Sequence, residues 1–253
     1  MELVSIIMPA YNCGQFIKES IDSVESQTYT NWELLIVDDC STDNTADIVD
    51  LYKDKRIHCI RNSQNLGAAS SREKAIKMSQ GRYIAFLDAD DKWLPNKLEK
   101  QIMFMMQNNI ALSYTPYYVL HPTKGTIIHT CPKTLTYYQL TKWNRIGCLT
   151  VIYDRILVGE VVIPKIQKRN DYALWLTILR KGIIAYCYSE PLAYYRSHNG
   201  LTKGNKFSFI KYHYILFNEV LGYSKFLALI MTIRNIFFYF IFYVIDTKND
   251  TIK

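Results

Sequence analysis

The chain lacks the common glycine-rich phosphate loops. No G-x-G-x-x-G follows its first apolar run, and no G-x-x-x-x-G-K-[ST] occurs anywhere. A dinucleotide fingerprint and a P-loop nucleotide site are therefore excluded. There is no G-x-S-x-G elbow and no H-E-x-x-H helix, which removes a serine-hydrolase and a zincin reading. The five histidines stand alone at 58, 121, 129, 198 and 213, too scattered for a histidine metal cage. No two of the six cysteines form a C-x-x-C pair. They sit singly, mostly inside apolar runs, and read as buried free thiols. Only 10 glycines and 7 prolines occur in 253 residues, so collagen-like and linker-like chains are out. No internal repeat or low-complexity tract is visible.

What is present is a globular composition, 49% apolar and 21% charged, with ample length for a hydrophobic core. The net charge of +7 hides a split. Residues 1–100 carry 12 basic and 16 acidic side chains; residues 101–253 carry 18 and 7. A basic, aromatic-rich second part suits an anionic membrane surface, a phosphorylated substrate or nucleic acid, or is a solvated basic face. Nucleic acid is the weakest of these, because no stacking motif on a sheet is evident. Met1 leads directly into Leu3-Val4-Ser5-Ile6-Ile7-Met8 without a basic leader. That start and the unpaired cysteines point to the cytoplasm.

The first hundred residues alternate strand and helix. Apolar runs at 3–8, 33–37, 56–60 and 83–87 read as strands, the first closed by Pro9. Helices are expected at 14–25, from a Ser41, Thr42 or Asp43 cap to Tyr52, at 68–79 with Gly81 as its stop, and from Pro95 to Asn108. Such alternation gives a mainly parallel α/β sheet covered by helices. Further on, 111–120 and 126–130 suggest a hairpin around Gly125. A helix over 171–181 and a strand over 183–188 follow. Ligands of parallel sheets bind beyond the carboxyl ends of the strands. Pro9–Tyr11, Asp38-Asp39 and Asp88–Asp91 all fall at such ends.

The carboxylates Asp38, Asp39, Asp88, Asp90 and Asp91 are the main chemical signal. Asp43 and Asp47 are better read as helix-capping and turn residues. Three acids within Asp88-Ala89-Asp90-Asp91 repel one another at a strand end. A hard divalent cation, Mg²⁺ or Mn²⁺, shared with a substrate diphosphate would relieve that repulsion.

Four segments in this order resemble the inverting family 2 glycosyltransferases of the GT-A (Rossmann-like) fold. They are Ser5–Asn12, Val37–Asp43, Asn65-Leu66-Gly67 and Gly81–Asp91. The resemblance resumes at Arg169-Asn170-Asp171-Tyr172-Ala173-Leu174-Trp175 and at Tyr195-Arg196-Ser197-His198. It implies a nucleotide-sugar donor, with UDP favoured over GDP, bound by Pro9, Ala10, Tyr11, Asp39, Arg72, Asp88, Ala89 and Asp90. Asp39 would accept the imide N–H of uracil and Tyr11 would stack on the ring. Arg72 would face the donor, or be an exposed helix arginine. Asp90 would hold the metal directly. Asp88 would reach the ribose or the metal's hydration shell, and Asp91 would cap the next helix or support the site. Asp171 would be the general base, or a helix N-cap. Asn170 replaces the acidic residue usual before that base. His198 would touch the metal or a phosphate, or lie plainly on the surface, and Gly200–Gly204 with Lys203 would form a flap over the donor.

The resemblance implies a catalytic domain over 1–203, with a nucleotide-sugar half (1–110) and an acceptor half (111–203). Residues 204–253 form a helical extension. Within it, Phe226–Ile245 has Arg234 as its sole charge. Lys225, Thr232, Asn235, Tyr239, Tyr243 and Asp246 trace one polar stripe along it. Stripe and central arginine favour a helix lying in a membrane interface, or packed on the enzyme or a second copy, over a spanning one. An interfacial tail could be deleted from residue 223 without unfolding the enzyme. The expected function is sugar transfer to a membrane-linked acceptor, such as a GlcNAc-diphospho-polyprenol of O-antigen or capsule synthesis, on the cytoplasmic face of the inner membrane. A lipopolysaccharide core or protein acceptor is the alternative, and a non-catalytic nucleotide-sugar-binding subunit is the competing class.

Overall fold

The computed structural model describes residues 1–123, 125–197 and 206–249. His198, Lys203 and the expected flap lie outside them. The first half runs β1 (Val4–Ala10), α1 (Ile17–Glu25), β2 (Trp32–Asp38), α2 (Thr45–Asp50), β3 (Ile57–Arg61), α3 (Ala68–Met78), β4 (Tyr83–Phe86), β5 (Lys92–Trp93) and α4 (Lys97–Asn108). There follow β6 (Leu112–Tyr114), β7 (Tyr117–His121), β8 (Gly125–His129), β9 (Thr134–Leu135), α5 (Tyr137–Leu140), β10 (Ile152–Asp154), α6 (Arg155–Val158), α7 (Asn170–Leu179), β11 (Ala185–Cys187) and β12 (Ala193–Arg196). The chain closes with α8 (Lys206–Ile215), a π-helical turn and α9 (Lys225–Asn249).

An eight-stranded sheet has the order β3-β2-β1-β4-β10-β6-β11-β9. β3, β2, β1 and β4 are mutually parallel, and β10 enters antiparallel between β4 and β6. A smaller sheet, β5-β12-β7-β8, stands beside it. The central strands are buried on both faces, as a covered parallel sheet requires. Along β1, Ile6 and Met8 join one core layer with Ile17, Ile21 and Leu98, while Ile7 joins the other with Ala75 and Trp175.

Local sequence explains where this pattern departs from expectation. β1 continues through Pro9 to Ala10. β4 pairs only with residues 4–7 of β1, so proline's missing N–H falls beyond that ladder. Gly81 is a close-packing residue rather than a helix stop: a Cβ there would meet the Ser5 amide nitrogen at 2.6 Å. Its N–H donates to Ser5 Oγ at 2.7 Å. The run 111–120 divides between the two sheets, breaking at Thr115-Pro116, and only β7 and β8 form the hairpin. Cys13 alone among the cysteines is buried; Cys59 is exposed and the rest are intermediate, all as free thiols. Lys97 is fully buried. Its ammonium meets Gln101 Oε1 at 2.7 Å and the Thr150 carbonyl at 3.5 Å. Burial pulls its pKa down to about 7.

Thr232 and Asn235 of the polar stripe on the C-terminal helix turn inward. Ala228, Met231, Thr232 and Asn235 are buried. Asn235 Nδ2 donates to the Thr141 carbonyl at 3.2 Å and to the Tyr172 hydroxyl at 3.1 Å. Arg234 donates to Thr141 Oγ1 at 2.8 Å. The side left in solvent is apolar, with Phe226 75%, Ile233 58% and Phe237 60% exposed. This reverses an ordinary amphipathic helix, and it makes the tail part of the fold. No helix among the described residues is long and apolar enough to cross a membrane.

Candidate active site

Two neighbouring cavities open at the carboxyl ends of the parallel strands, and they share Arg72 and Asp88. All eight residues expected at the donor line the smaller one, of about 290 Å³. Pro9, Ala10 and Tyr11 come from the end of β1, Asp39 from the end of β2, Arg72 from α3, and Asp88–Asp90 from the end of β4.

The floor of this cavity is built by loop-to-loop hydrogen bonds. Asn12 and Cys40 take left-handed backbone conformations (φ 48° and 64°). Asn12 donates its amide to Ser41 Oγ at 3.0 Å, and its side-chain oxygen accepts the Thr42 amide at 2.8 Å. Asp43 accepts the Gly14 and Thr45 amides, tying α1 to α2. Asp39 is buried, and its carboxylate accepts Asn62 Nδ2 and the amides of Leu66 and Gly67 at 2.7–2.9 Å. Three bonds leave room for one more donor on a carboxylate with about four acceptor sites. Tyr11 is 51% exposed at the rim, free to cover a planar ring.

Arg72 is the hub between the cavities and is buried, so it is not an exposed helix arginine. Its guanidinium forms an ion pair with Asp88 and donates to Asn170 Oδ1 at 2.5 Å. Burial opposes its charge, but the Asp88 carboxylate more than restores it, and its pKa rises. Asn170 in place of an acid thus serves as the acceptor that fixes Arg72 to the start of α7. Asp88 is part-exposed and paired with Arg72, and Asp90 lines the same cavity. Asp91 points inward instead. It accepts the Arg196 amide at 2.9 Å, holding β12 rather than capping a helix. Burial first, then the Asp90 and Asp88 charges, push its pKa well up. Arg196 donates to the Asp90 carbonyl at 3.1 Å and lies over Phe16.

No group of three or more His, Cys, Asp or Glu side chains that could hold a metal occurs among the described residues. Two oxygen-bearing carboxylates at one cavity wall nonetheless match a hard cation completed by substrate phosphates.

The larger cavity, of about 390 Å³, holds Asp171. Asp171 lies in the first turn of α7 and does not cap it: the N-cap is Arg169, in left-handed conformation without a side-chain cap. The wall opposite comes from the other sheet and from loop 141–147, with Tyr117, His129, Arg145 and Tyr195. Tyr117 stacks on His129 at 4.7 Å between centroids. Burial raises the Tyr195 pKa to about 12. Sequence reading flagged Tyr195 and Arg169 only as parts of motifs and missed Tyr117, His129 and Arg145. Tyr117 and His129 lie on the expected hairpin strands and Arg145 on loop 141–147, and no motif marks any of the three as facing the cavity.

The family model described as Glycosyl transferase family 2 matches residues 5–155. The chain is 45% identical over 224 residues to the Putative teichuronic acid biosynthesis glycosyltransferase TuaG of Bacillus subtilis, covering 86% of this chain and 88% of that protein. It is 46% identical over 207 residues to the UDP-Glc:alpha-D-GlcNAc-diphosphoundecaprenol beta-1,3-glucosyltransferase WfaP of Escherichia coli, covering 82% of each. In fold it is similar to S. aureus TarS residues 1–349 in complex with UDP-GlcNAc, with a TM-score of 0.73 and 19% identity over 96% of this chain and 73% of that one.

Proposed function

This chain belongs to glycosyl transferase family 2, is a nucleotide-sugar-dependent inverting enzyme of the GT-A fold, and from that premise we propose that it moves a hexose from a UDP-sugar to a hydroxyl of a GlcNAc-diphospho-polyprenol at the cytoplasmic face of the inner membrane. The observation that carries this reading is the pair of joined cavities: Asp39 and Tyr11 in one, Asp171 in the other, with Arg72 and Asp88 between them. Relatives named for transfer from UDP-Glc to GlcNAc-diphosphoundecaprenol, at 46% and 44% identity, make UDP-glucose the first donor to test.

In this reading Asp39 accepts the uracil imide N–H with its remaining acceptor site, and Tyr11 covers the ring. The anomeric carbon then lies near the shared wall. Asp171 takes the proton of the acceptor hydroxyl as that oxygen attacks the anomeric carbon. The bond to UDP breaks on the opposite side, so one displacement inverts the configuration, and no carboxylate nucleophile is required. Asp90, with Asp88 as the weaker partner, would hold Mn²⁺ or Mg²⁺, which supplies positive charge to the departing diphosphate when bound. Arg72 keeps Asp88 fixed and neutralised beside it.

The outward apolar side of α9 is the proposed membrane contact. Exposed apolar stripes of this kind mark interaction surfaces, and the basic excess of residues 101–253 suits anionic headgroups. Incubation with UDP-sugars, Mn²⁺ and a synthetic GlcNAc-diphospho-lipid tests the reading. A product heavier by one hexose, abolished by excess EDTA, is expected. Absence of transfer from every UDP-sugar, or full turnover in EDTA, contradicts it.

A further inference from the structure

We propose that Arg196 and Glu19 are positioning residues that hold the Asp88–Asp91 turn in the shape that receives the donor diphosphate. The assignment rests on the reading above that Asp88 and Asp90 face that diphosphate, and it adds the residues that aim them. Neither Arg196 nor Glu19 lines either cavity, so each acts through the turn and not on the substrate.

The turn closes on a backbone bond from the Asp91 amide to the Asp88 carbonyl at 3.0 Å. Its other carbonyls are bound by two separate elements. Ser20 of α1 is buried and shares its hydroxyl between the Ala89 carbonyl at 2.9 Å and the Asp91 carbonyl at 2.6 Å. The Asp90 carbonyl between them accepts Arg196 Nε at 3.1 Å. Three consecutive carbonyls are thus held by α1 and β12 together. Asp91 in turn accepts the Arg196 amide at 2.9 Å, so residues 90–91 and 196 form a closed ring of two hydrogen bonds. β12 pairs antiparallel with β5, with Ala193 opposite Trp93 and Tyr194 opposite Lys92. Continued by two residues, that register sets Arg196 opposite Asp90, and its side chain takes over where the ladder stops.

Glu19 completes the clasp. It stands next to Ser20 on α1, and its carboxylate accepts Arg196 Nη2 at 3.0 Å and Lys92 Nζ at 3.4 Å. The Arg196 guanidinium lies 4.6 Å over the Phe16 ring, and Phe16 itself lines the donor cavity. A guanidinium presents its donors in a rigid fork, so binding Glu19 through Nη2 fixes where Nε points. Released from Arg196, the peptide between Asp90 and Asp91 can rotate and carry the Asp90 side chain with it. A displacement of about 1 Å is enough to cost a positioned group much of its effect.

Titration of the full chain with UDP and with uridine, both with Mn²⁺ present, tests this directly. Uridine carries the base and ribose but no phosphate, so the ratio of the two affinities isolates the diphosphate part. Arg196→Ala should shrink that ratio by roughly 10-fold and leave uridine affinity unchanged. Arg196→Lys, with one compact ammonium for two acceptors, should recover part of the loss. Glu19→Gln changes a half-exposed ion pair. It should shrink the ratio by roughly 2- to 4-fold, and add nothing in the Arg196→Ala background. A merely structural role would weaken both probes alike; that result, or an unchanged ratio in Arg196→Ala, overturns the assignment. Should Arg196→Ala fail to fold, a reduced ratio in Arg196→Lys and Glu19→Gln supports the assignment and an unchanged one overturns it. Wild-type binding of UDP no tighter than uridine would remove both the diphosphate reading of the turn and this inference. A wild-type preference for UDP kept in full by the variants would count against this inference alone.

Discussion

Replacing Arg72 by alanine removes the one side chain common to both cavities that also bonds to residues of each. Arg72 is 7% exposed and carries a charged pair to Asp88 and a hydrogen bond to Asn170. Each hydrogen bond to a charged group contributes about 1.5–3 kcal/mol. The Asp88 side chain is 31% exposed, so water partly screens it once the arginine is gone, and the lower half of the combined range applies. The expected loss is about 3–4.5 kcal/mol, or roughly 6–18 °C in Tm for a chain of this size. The double variant Arg72→Ala/Asp88→Asn no longer leaves a lone carboxylate. It should recover about 1–2 kcal/mol relative to Arg72→Ala, a coupling readable in a double-mutant cycle by thermal or urea denaturation. Transfer activity should not recover with stability, because the shared wall has lost both groups. A single variant as stable as the wild type, or a double variant no more stable than the single one, would refute the reasoning that this ion pair fixes the site.

Three further outcomes follow from the C-terminal helix and from Lys97. Changing Phe226, Ile233 and Phe237 together to Asp should leave the fold intact, since all three are exposed, yet lower binding to anionic vesicles at least tenfold in a sedimentation assay; unchanged binding would rule out this side of α9 as the contact. Deletion from residue 223 is a different perturbation, because it also strips Ala228, Met231, Thr232 and Asn235 from the core, and it should unfold the protein in far-ultraviolet circular dichroism. Lys97 has a depressed folded pKa of about 7 against an ordinary value of 10.5. Between those values the unfolded chain binds more protons, so this group makes stability fall as pH drops from about 10 to about 7, by about 3–5 kcal/mol, and changes nothing below that. Lys97→Met should flatten the slope in urea titrations at pH 7 and pH 9.5; an unchanged slope would show that the lysine is not its source.

The parallel half of the fold was readable because its signals are local. Strand runs at β1, β2 and β4 are apolar on both faces, and each ends in a polar group that only a strand end accommodates, as at Asp38-Asp39 and Asp88–Asp91. The residues that the resemblance offered for the donor sit at those strand ends and on α3, and they line one cavity. What could not be read is long-range. Whether Arg72 faces solvent or the interior depends on Asn170, 98 positions away. Tyr117 and His129 lie on the expected hairpin, but its pairing with β12 and the approach of Arg145 on loop 141–147, which bring them to one cavity, are long-range. The direction of α9 was legible as a stripe but not as a side. The stripe and Arg234 left open a helix in a membrane interface or one packed on the enzyme, and the contacts of Arg234 and Asn235 with Thr141 and Tyr172 pack it on the enzyme. Gly81 looked like a helix stop because spacing alone does not reveal the Ser5 backbone behind it.

The central claim is that Asp171 is the base of an inverting transfer, and Asp171→Asn with a UDP-sugar and GlcNAc-diphospho-lipid tests it most directly. The variant keeps the shape of the first turn of α7 and removes only the proton acceptor. Rapid-quench turnover, with the product's anomeric configuration read by NMR, should show an inverted linkage from the wild type. The variant's kcat should fall by roughly 10²–10⁴-fold, with UDP affinity unchanged. Retained configuration in the product, or a variant that turns over at the wild-type rate, would contradict the account.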